Sequence, residues 1–477
     1  MSHDLFKDIK PLFPDNNIPN FIKEIPQFGK CIYYLERYAE DNNLVFETKN
    51  IRNWQNSKKP LDRLIKVLLY RYTGIKKKIF FEFEQIDEIN NEIDASKNVE
   101  DYYANILISG GVDSMCGAYH WVLKNRKKII FTHIYHKNTP SIGMIRNFIK
   151  KDLNMPLIEV DGQFYTKADI RNIGKKERPE KMNISQTRTL LYLCNSVPIN
   201  YALGIKNILV TENGPLTINP PFTSSHTFTN TTNPDFIAFF NTFLYNYFDN
   251  EEIIKVRLPF REYTKAELMA SVPNDILNRT HSCSKFYYNK KSCFFCFPCY
   301  VRRFSAYAYG NYDDDIYDPD YKDPKKDILE RYYINNERDP FTKDISYINT
   351  NDEAKMIKEL IQFCYQTLRR NVGINEEERI HRTDKYNDLY LPIVKKCERI
   401  REDYEDIWQL LKRFALDMLT GLHYFFDTYP DYQDDDYYIW NYYNRKINKL
   451  ITRTIIRNNF YEEIRQRIKD TEVIGVI

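Results

Sequence analysis

The sequence predicts an α/β protein with a doubly wound, largely parallel sheet covered by helices on both faces. Between residues 104 and 310, apolar runs of four to six residues alternate with helical patterns, which is typical of βαβ units. Residues 1–103 mix short apolar runs with polar turns and predict an accessory α+β module. After Gly310, an acidic, tyrosine-rich linker precedes long helical patterns, so residues 311–477 are predicted to be an all-helical region.

The individual elements follow from periodicity and from helix-ending residues. In the accessory module, LDRLIKVLLYRY (61–72) predicts a helix that Gly74 ends, and IFFEFE (79–84) predicts an alternating strand. The middle segment has strands at ANILIS, IIFTHIY, PLIEV and NILVT, and helices that begin at Asp113, after Ser141 and at Ser185. MIKELIQFCYQTLRR and YEDIWQLLKRFALDMLTGLHYFF predict helices in the C-terminal region.

Composition excludes several classes of protein. A chain of 477 residues exceeds one ordinary domain. The formal net charge of +3, from 69 basic and 66 acidic residues, argues against a dedicated nucleic-acid or anionic-membrane surface. No apolar run approaches the roughly 20 residues of a membrane-spanning helix, and MSHDLFKDIK lacks the apolar core of a signal peptide. We therefore expect a cytoplasmic protein with no membrane partner.

A glycine-rich loop follows the strand ANILI directly and runs into a helix: Ser109-Gly110-Gly111-Val112-Asp113-Ser114. Two glycines let the backbone approach an anion, and the amides and dipole of the helix start attract it. The two serines can donate hydroxyl hydrogen bonds to phosphate, whereas the aspartate suits a Mg²⁺ that binds the phosphates. The loop lacks the lysine and the length of a Walker motif, which favours a diphosphate leaving group. The alternative interpretation is an ordinary capped strand-to-helix turn.

Four cysteines form a second motif, with nine, two and two residues between successive members: Cys283, Cys293, Cys296 and Cys299. Four thiolates at this spacing can close a tetrahedral Zn²⁺ site with no open position, so we predict a structural zinc. An iron–sulfur cluster is an alternative, although the fourth cysteine of a ferredoxin run lies downstream rather than upstream. The remaining alternative is four unrelated buried cysteines.

The string SGGVDS resembles the pyrophosphate-binding motif of the N-type ATP pyrophosphatases. This resemblance implies a Rossmann-like phosphate-loop (PP-loop) fold and an enzyme that transfers AMP from ATP to a substrate oxygen. The cysteine motif about 170 residues later is followed by a basic, aromatic helix at residues 300–307. Together the motifs resemble the 7-cyano-7-deazaguanine synthase (QueC) family, over about residues 104–310. Because extra segments flank this region, the chain resembles in particular the larger QueC-like proteins of bacterial anti-phage defence operons.

The resemblance implies roles for two basic residues. SQTRTLLYLCNSVPINYALGIKNILVTEN is similar to a family segment that places Arg188 at the family's arginine. LPFREYTKAELMA resembles the segment ending NKAE, which makes Lys265 a phosphate or carboxylate contact. By itself, Arg188 at a helix start is typical of a solvated charge. Lys265 follows the helix-capping candidate Thr264, where a cation opposes the helix dipole, and this favours a role with an anionic ligand.

Two further residues lie where parallel sheets bind ligands. His133 is near the end of the second strand of the middle segment, where a nucleotide base would rest, although a lone strand-end histidine is more often structural. Glu212 ends a later strand and could accept hydrogen bonds from ribose or substrate hydroxyls. The sequence after Glu212 departs from the family's acidic Tyr-Ser-Gly-type loop, which frames the deazaguanine.

The resemblance implies ATP, Mg²⁺ and 7-carboxy-7-deazaguanine as ligands. The predicted reaction is adenylation of the carboxylate, followed by displacement of AMP by ammonia or by an amine of a defence partner protein. One alternative is a tRNA- or nucleotide-thiolating pyrophosphatase, which would need Cys116 or Cys194 near the adenylate, although both are predicted in the core. The other alternative is a non-catalytic nucleotide-binding subunit of a defence complex.

Overall fold

The computed structural model describes residues 10–12, 18–38, 43–69, 79–86, 102–124, 128–135, 142–161, 187–218, 232–270, 272–282, 296–311, 350–369, 404–428, 444 and 447–448. These residues form an α/β structure with a five-stranded parallel sheet flanked by helices. None of the described helices is both long and apolar enough to cross a lipid bilayer.

The N-terminal residues form a small βαβ unit. Its elements are α1 (Asn20–Tyr38), β1 (Asn43–Thr48), α2 (Ile51–Leu69) and β2 (Phe80–Gln85), and the two strands pair in parallel. The predicted helix and strand of this module are confirmed. Helix α2 begins at Ile51 rather than at Leu61, because the buried Trp54 and Ser57 extend its apolar face through a polar stretch that hides the helical pattern. The predicted stop at Gly74 lies outside the described residues.

The main sheet contains the four strands that were predicted between residues 104 and 310. In chain order its elements are β3 (Ala104–Leu107), α3 (Val112–Lys124), β4 (Ile129–Tyr135), α4 (Ile142–Asn147) with a π-helical turn (Phe148–Asp152), β5 (Leu157–Asp161), α5 (Arg188–Ala202), β6 (Asn207–Leu209), α6 (Gly214–Ile218), α7 (Pro234–Tyr247) and β7 (Lys255–Arg257). All four strand pairs are parallel, and the spatial order is β5-β4-β3-β6-β7. The direction of winding therefore reverses between β3 and β6.

Helices cover both faces of this sheet, as predicted. Successive side chains of a strand point to opposite faces. Ile208 packs in a core with α1, α2, α5 and α7, whereas its neighbour Leu209 packs in a second core with α3 and the helices that follow β7. Ile106 and Leu107 divide between the two cores in the same way. The N-terminal unit thus shares one core with the sheet.

Five helices follow β7 among the described residues: α8 (Lys265–Ala270), α9 (Asn274–Leu277), α10 (Phe297–Ala308), α11 (Thr350–Arg369) and α12 (Tyr404–Thr428). The last two lie within residues 311–477, and the elements described there are helices, as predicted. Buried side chains of α10, α11 and α12 belong to the same hydrophobic cluster as Ala104 and Ile106 of β3. The C-terminal helices therefore share a core with the second face of the sheet.

Helices α10 and α12 approach very closely at one glycine. A Cβ atom added to Gly421 would lie 2.0 Å from the carbonyl oxygen of Phe304, so the backbones would have to separate. We expect Gly421→Ala to lower the free energy of unfolding by about 3 kcal/mol, because overpacking a core helix contact costs this much. Gly143→Ala is the control, since nothing lies within 4 Å of its added Cβ. Urea unfolding curves that show equal stability for the two variants would contradict the tight contact.

Candidate functional site

The predicted phosphate loop lies where the strand order reverses. Residues 109–114 follow β3, residues 210–213 follow β6, and these two strands are hydrogen-bonded neighbours. Open parallel sheets bind ligands in the crevice at this reversal, outside the carboxyl ends of the strands. The two loops meet directly, because Asn213 Nδ2 donates a hydrogen bond of 2.8 Å to Asp113 Oδ1.

The loop has the backbone conformation that its glycines allow. Gly110 has a φ of +78°, in the left-handed region that favours glycine. The hydroxyls of Ser109 and Ser114 lie 3.2 Å apart, and the Ser114 hydroxyl donates to the carbonyl of Gly111 at 2.9 Å. Within the described part of the chain, the amides of Gly110, Asp113 and Ser114 have no acceptor. A glycine-rich turn with donors of this kind at a helix start is suited to binding an anion.

A segment after α9 braces this loop from the side. The amide of Val112 donates to the carbonyl of His281 at 3.1 Å, and the amide of His281 donates to the carbonyl of Gly110 at 3.1 Å. The fully buried guanidinium of Arg302, on α10, donates to the carbonyls of Thr280 and Leu277 at 2.9 and 2.8 Å. Helix α10 therefore holds residues 277–280 in place, and the adjacent His281 in turn holds the glycine-rich loop.

Asp113 lies at the centre of a charged cluster. The ammonium of Lys265, the first residue of α8, forms an ion pair with Asp113 Oδ2, and the two side chains are only 6% and 16% exposed. The structure thus brings together the two residues that the sequence analysis placed at the phosphate site. A buried cation beside a glycine-rich loop offers positive charge to a bound phosphate.

Glu212 completes the cluster as a second carboxyl group. Burial and then the negative charge of Asp113 raise the pKa of Glu212 to about 8, while the positive charge of Lys265 opposes the shift. The carboxyl groups of Glu212 and Asp113 lie close enough for each to influence the other. Among the described residues, the buried Oε1 of Glu212 has no hydrogen-bond partner. Two carboxyl groups this close do not both ionise readily unless a cation joins them, and Mg²⁺ prefers carboxylate oxygens.

His133 is held beneath the loop rather than exposed in the crevice. Its ring is buried, and its Nδ1 lies 2.7 Å from the carbonyl oxygen of Ile108, at the end of β3. Burial lowers the pKa of His133, so the neutral ring is favoured. Of the two interpretations of this residue, the geometry supports the structural one.

Arg188 stands apart from the charged cluster. It is the first residue of α5, and the preceding Thr187 donates from its amide and its hydroxyl to Glu36 Oε2, at 2.9 and 2.5 Å. Within the described ranges, no hydrogen bond or ion pair joins Arg188 to residues 109–114 or to Lys265. The structure therefore does not bring the predicted arginine together with the predicted lysine.

Two of the four predicted zinc ligands lie side by side. Cys296 caps the start of α10 and Cys299 lies in its first turn, with their Sγ atoms 3.4 Å apart and both residues buried. Sulfurs on one tetrahedral zinc, bonded at about 2.3 Å, would be roughly 3.8 Å apart. Cys283 and Cys293 lie outside the described residues. The described part of the chain contains no group of three or more metal-binding side chains, and it includes only half of the predicted set.

The sequence analysis missed several residues of the site. Asn213 directly follows the predicted Glu212 at the end of a strand, so its position in the crevice could have been inferred from its neighbour. The backbone of His281 and the guanidinium of Arg302 were not predictable, because their contacts join segments that are distant in sequence. Comparisons with family models, with curated proteins and with solved structures found no match to this chain. What points to a function is therefore the loop and the side chains gathered around it.

Proposed function

We propose that this chain is an ATP pyrophosphatase-type ligase, which adenylates a carboxylate and passes the acyl group to an amine. The observation that carries this proposal is the meeting of Asp113, Glu212 and Lys265 beside the glycine-rich loop, at the point where the strand order reverses. The motif SGGVDS and its resemblance to the N-type ATP pyrophosphatases agree with this position. A PP-loop, Rossmann-like fold is part of the same proposal.

The loop would bind the pyrophosphate part of ATP. Its available amides and the hydroxyls of Ser109 and Ser114 are donors, and the ammonium of Lys265 supplies positive charge close by. Fixed donors stabilise charge that develops on a leaving group without reorganising during the reaction. This use of the loop requires no lysine inside the loop itself, because α8 provides one.

The two carboxyl groups fit a divalent cation. Asp113 and Glu212 are neighbours in the cluster, and the buried Glu212 Oε1 has no hydrogen-bond partner among the described residues. We propose that these residues would hold Mg²⁺, which supplies charge neutralisation for phosphate oxygens when it is bound. In the structure, Lys265 contacts Asp113 Oδ2 and Asn213 donates to Asp113 Oδ1, so both oxygens of this carboxylate are held in place.

The proposed chemistry has two steps. A carboxylate oxygen attacks the α-phosphorus of ATP, the bond from that phosphorus to the β-phosphate oxygen breaks, and pyrophosphate leaves. The amine nitrogen then attacks the acyl carbon, the bond to the AMP oxygen breaks, and the amine loses a proton to solvent. Adenylation is needed because a carboxylate is a poor electrophile. By resemblance, the acid is 7-carboxy-7-deazaguanine.

A thiolating enzyme is the weaker candidate. Cys116 and Cys194 are fully buried, and burial raises the pKa of both thiols far above the ordinary value. A thiol with a strongly raised pKa is a poor nucleophile, since the thiolate is the reactive form. Cys194 also packs directly against Gly29 of α1, on the face of the sheet that carries the N-terminal unit.

We expect purified protein to form AMP and pyrophosphate in equal amounts from ATP, Mg²⁺, 7-carboxy-7-deazaguanine and ammonia, because the ammonia displaces AMP from the acyl-adenylate. Product formation is measured by chromatography of the nucleotides and a coupled pyrophosphate assay. The matched control is 7-deazaguanine, which has the same ring system but no carboxylate to adenylate. Tight ATP binding without AMP formation would instead favour the non-catalytic nucleotide-binding subunit.

The acceptor amine is decided by a second experiment. The chain has about 270 residues outside residues 104–310, a length sufficient to form an interface of standard size with a macromolecular partner. We therefore propose a protein amine as acceptor, with ammonia as the competing nucleophile. Intact-mass spectrometry of co-expressed partner proteins should show a mass increase equal to the acid minus one water. Rapid formation of free 7-cyano-7-deazaguanine from ammonia, with no modified partner, would assign the chain to the synthase reaction.

A further inference from the structure

We propose that helix α12 of the C-terminal region is part of the functional site, and that Asp417 and Arg413 are positioning residues which hold Lys265 toward Asp113. Lys265 is the first residue of α8, so the start of this helix determines where its side chain reaches. The catalytic importance of Lys265 rests on the proposed function, whereas its placement by α12 rests on contacts alone.

The start of α8 is fixed by a reciprocal pair of hydrogen bonds. The amide of Thr264 donates to Glu267 Oε2 at 3.0 Å, and the amide of Glu267 donates to Thr264 Oγ1 at 3.2 Å. This arrangement is a capping box, which satisfies amides that the first helical turn leaves without acceptors. Both residues are completely buried. Lys265 lies inside this capping box, between its two members.

Helix α12 contacts both members of the capping box. Thr264 Oγ1 donates a hydrogen bond of 2.5 Å to Asp417 Oδ2, and Arg413 Nε donates to Glu267 Oε1 at 2.8 Å. Arg413 also donates from Nη2 to the carbonyl of Glu262 at 2.6 Å, just before α8. Residues 413 and 417 are separated by four positions and therefore share one face of α12. Three contacts from this face thus hold the chain from residue 262 to residue 267.

The same helix also reaches the opposite wall of the crevice. Leu410 of α12 packs against Gly214, where an added Cβ would lie 2.6 Å from Leu410 Cδ2. Gly214 begins α6 and directly follows Asn213, which donates to Asp113. Helix α12 therefore contacts the segments that contribute Lys265 and Asn213, and both of these side chains bind the same carboxylate.

A matched bond elsewhere in the chain provides the control. Glu36 of α1 is a buried carboxylate that accepts a hydrogen bond of 2.5 Å from Thr187 Oγ1, at the start of α5. The bond between Asp417 and Thr264 has the same length and the same chemistry. Removing Glu36 should therefore cost similar stability on the other face of the sheet, without touching α8.

The test measures how well Lys265 is protected from acetylation. The full-length protein is treated with acetic anhydride, and the extent of modification at Lys265 and at the partly exposed Lys255 is followed by mass spectrometry. We expect Asp417→Ala and Arg413→Ala to raise the acetylation rate of Lys265 about tenfold relative to Lys255, because each removes a buried hydrogen bond to the capping box. Glu36→Ala should leave this ratio unchanged.

Two conservative substitutions of Thr264 provide the same test if the Asp417→Ala variant does not fold. Thr264→Ser keeps the hydroxyl that binds Asp417 and should keep Lys265 protected, whereas the isosteric Thr264→Val should expose it. Unchanged protection in Arg413→Ala and Thr264→Val would overturn the proposal, as would equal loss of protection in Glu36→Ala. The two proposals can fail separately. If protection of Lys265 depends on α12 but the wild-type protein forms no AMP, then α12 positions Lys265 and the proposed ligase function is wrong.

Discussion

Asp113→Asn is expected to lower pyrophosphate release from ATP by at least about 100-fold, because it removes the charge on which the whole cluster depends. Asp113 pairs with Lys265, accepts a hydrogen bond from Asn213 and raises the pKa of the neighbouring Glu212. The amide of asparagine can keep the neutral hydrogen bonds but can neither pair with the ammonium nor bind Mg²⁺ as a carboxylate does. The measurement is initial-rate pyrophosphate release at saturating ATP and Mg²⁺.

The control for this prediction is Asp235→Asn. Asp235 is also an acidic residue in the first turn of a helix, but α7 packs on the face of the sheet that carries the N-terminal unit. Its substitution should leave the rate unchanged. Ser109→Ala should have an intermediate effect of about tenfold, since it removes one hydroxyl donor and no charge. If Asp113→Asn turns over ATP at the normal rate and urea unfolding verifies its fold, residues 109–114 are only a strand-to-helix turn with no role in the reaction.

The parallel sheet was predictable because its strands are short, continuous apolar runs. Residues 129–134 of β4, for example, are all buried, and burial on both faces of a strand leaves a strong pattern in the sequence. The order of the strands in the sheet could not be predicted, because no local sequence pattern determines which strands pair. The pairing of β3 with β6 depends on packing across segments that are about 100 residues apart, including the buried hydrogen bond of 2.7 Å between Asn105 and Asn200.

Part of the candidate site was also predictable from the sequence, and part was not. The loop at residues 109–114 is a contiguous motif, so its position between a strand and a helix followed directly from the sequence. Lys265 was found through resemblance and lies beside Asp113. Arg188 was found by the same reasoning, yet it lies at a helix start without a contact to the cluster among the described residues. Asp417 and Arg413 could not have been predicted. The helical pattern of α12 does not indicate that its side chains contact Thr264 and Glu267 at the start of α8, about 150 residues earlier in the chain.

The four cysteines lead to the second large expected effect, the loss of a structural metal. We expect the purified full-length chain to hold about one zinc, and Cys296→Ser to release it and to lower the free energy of unfolding by at least about 4 kcal/mol. The reason lies in α10, which begins at Cys296 and carries Arg302. That guanidinium holds the carbonyls of Thr280 and Leu277, next to the segment that braces the phosphate loop.

Zinc content is measured by elemental analysis and stability by urea unfolding, and Cys194→Ser is the matched control. Cys194 is equally buried, but it packs against Gly29 in the core on the other face of the sheet. Its substitution should cost some stability while the zinc stays bound, because it removes no proposed ligand. Iron with acid-labile sulfide in the wild-type protein would favour the cluster alternative. Absence of any metal, or equal losses in the two variants, would show that Cys296 and Cys299 are core residues, and α10 would then be held by core packing and by the hydrogen bonds of Arg302.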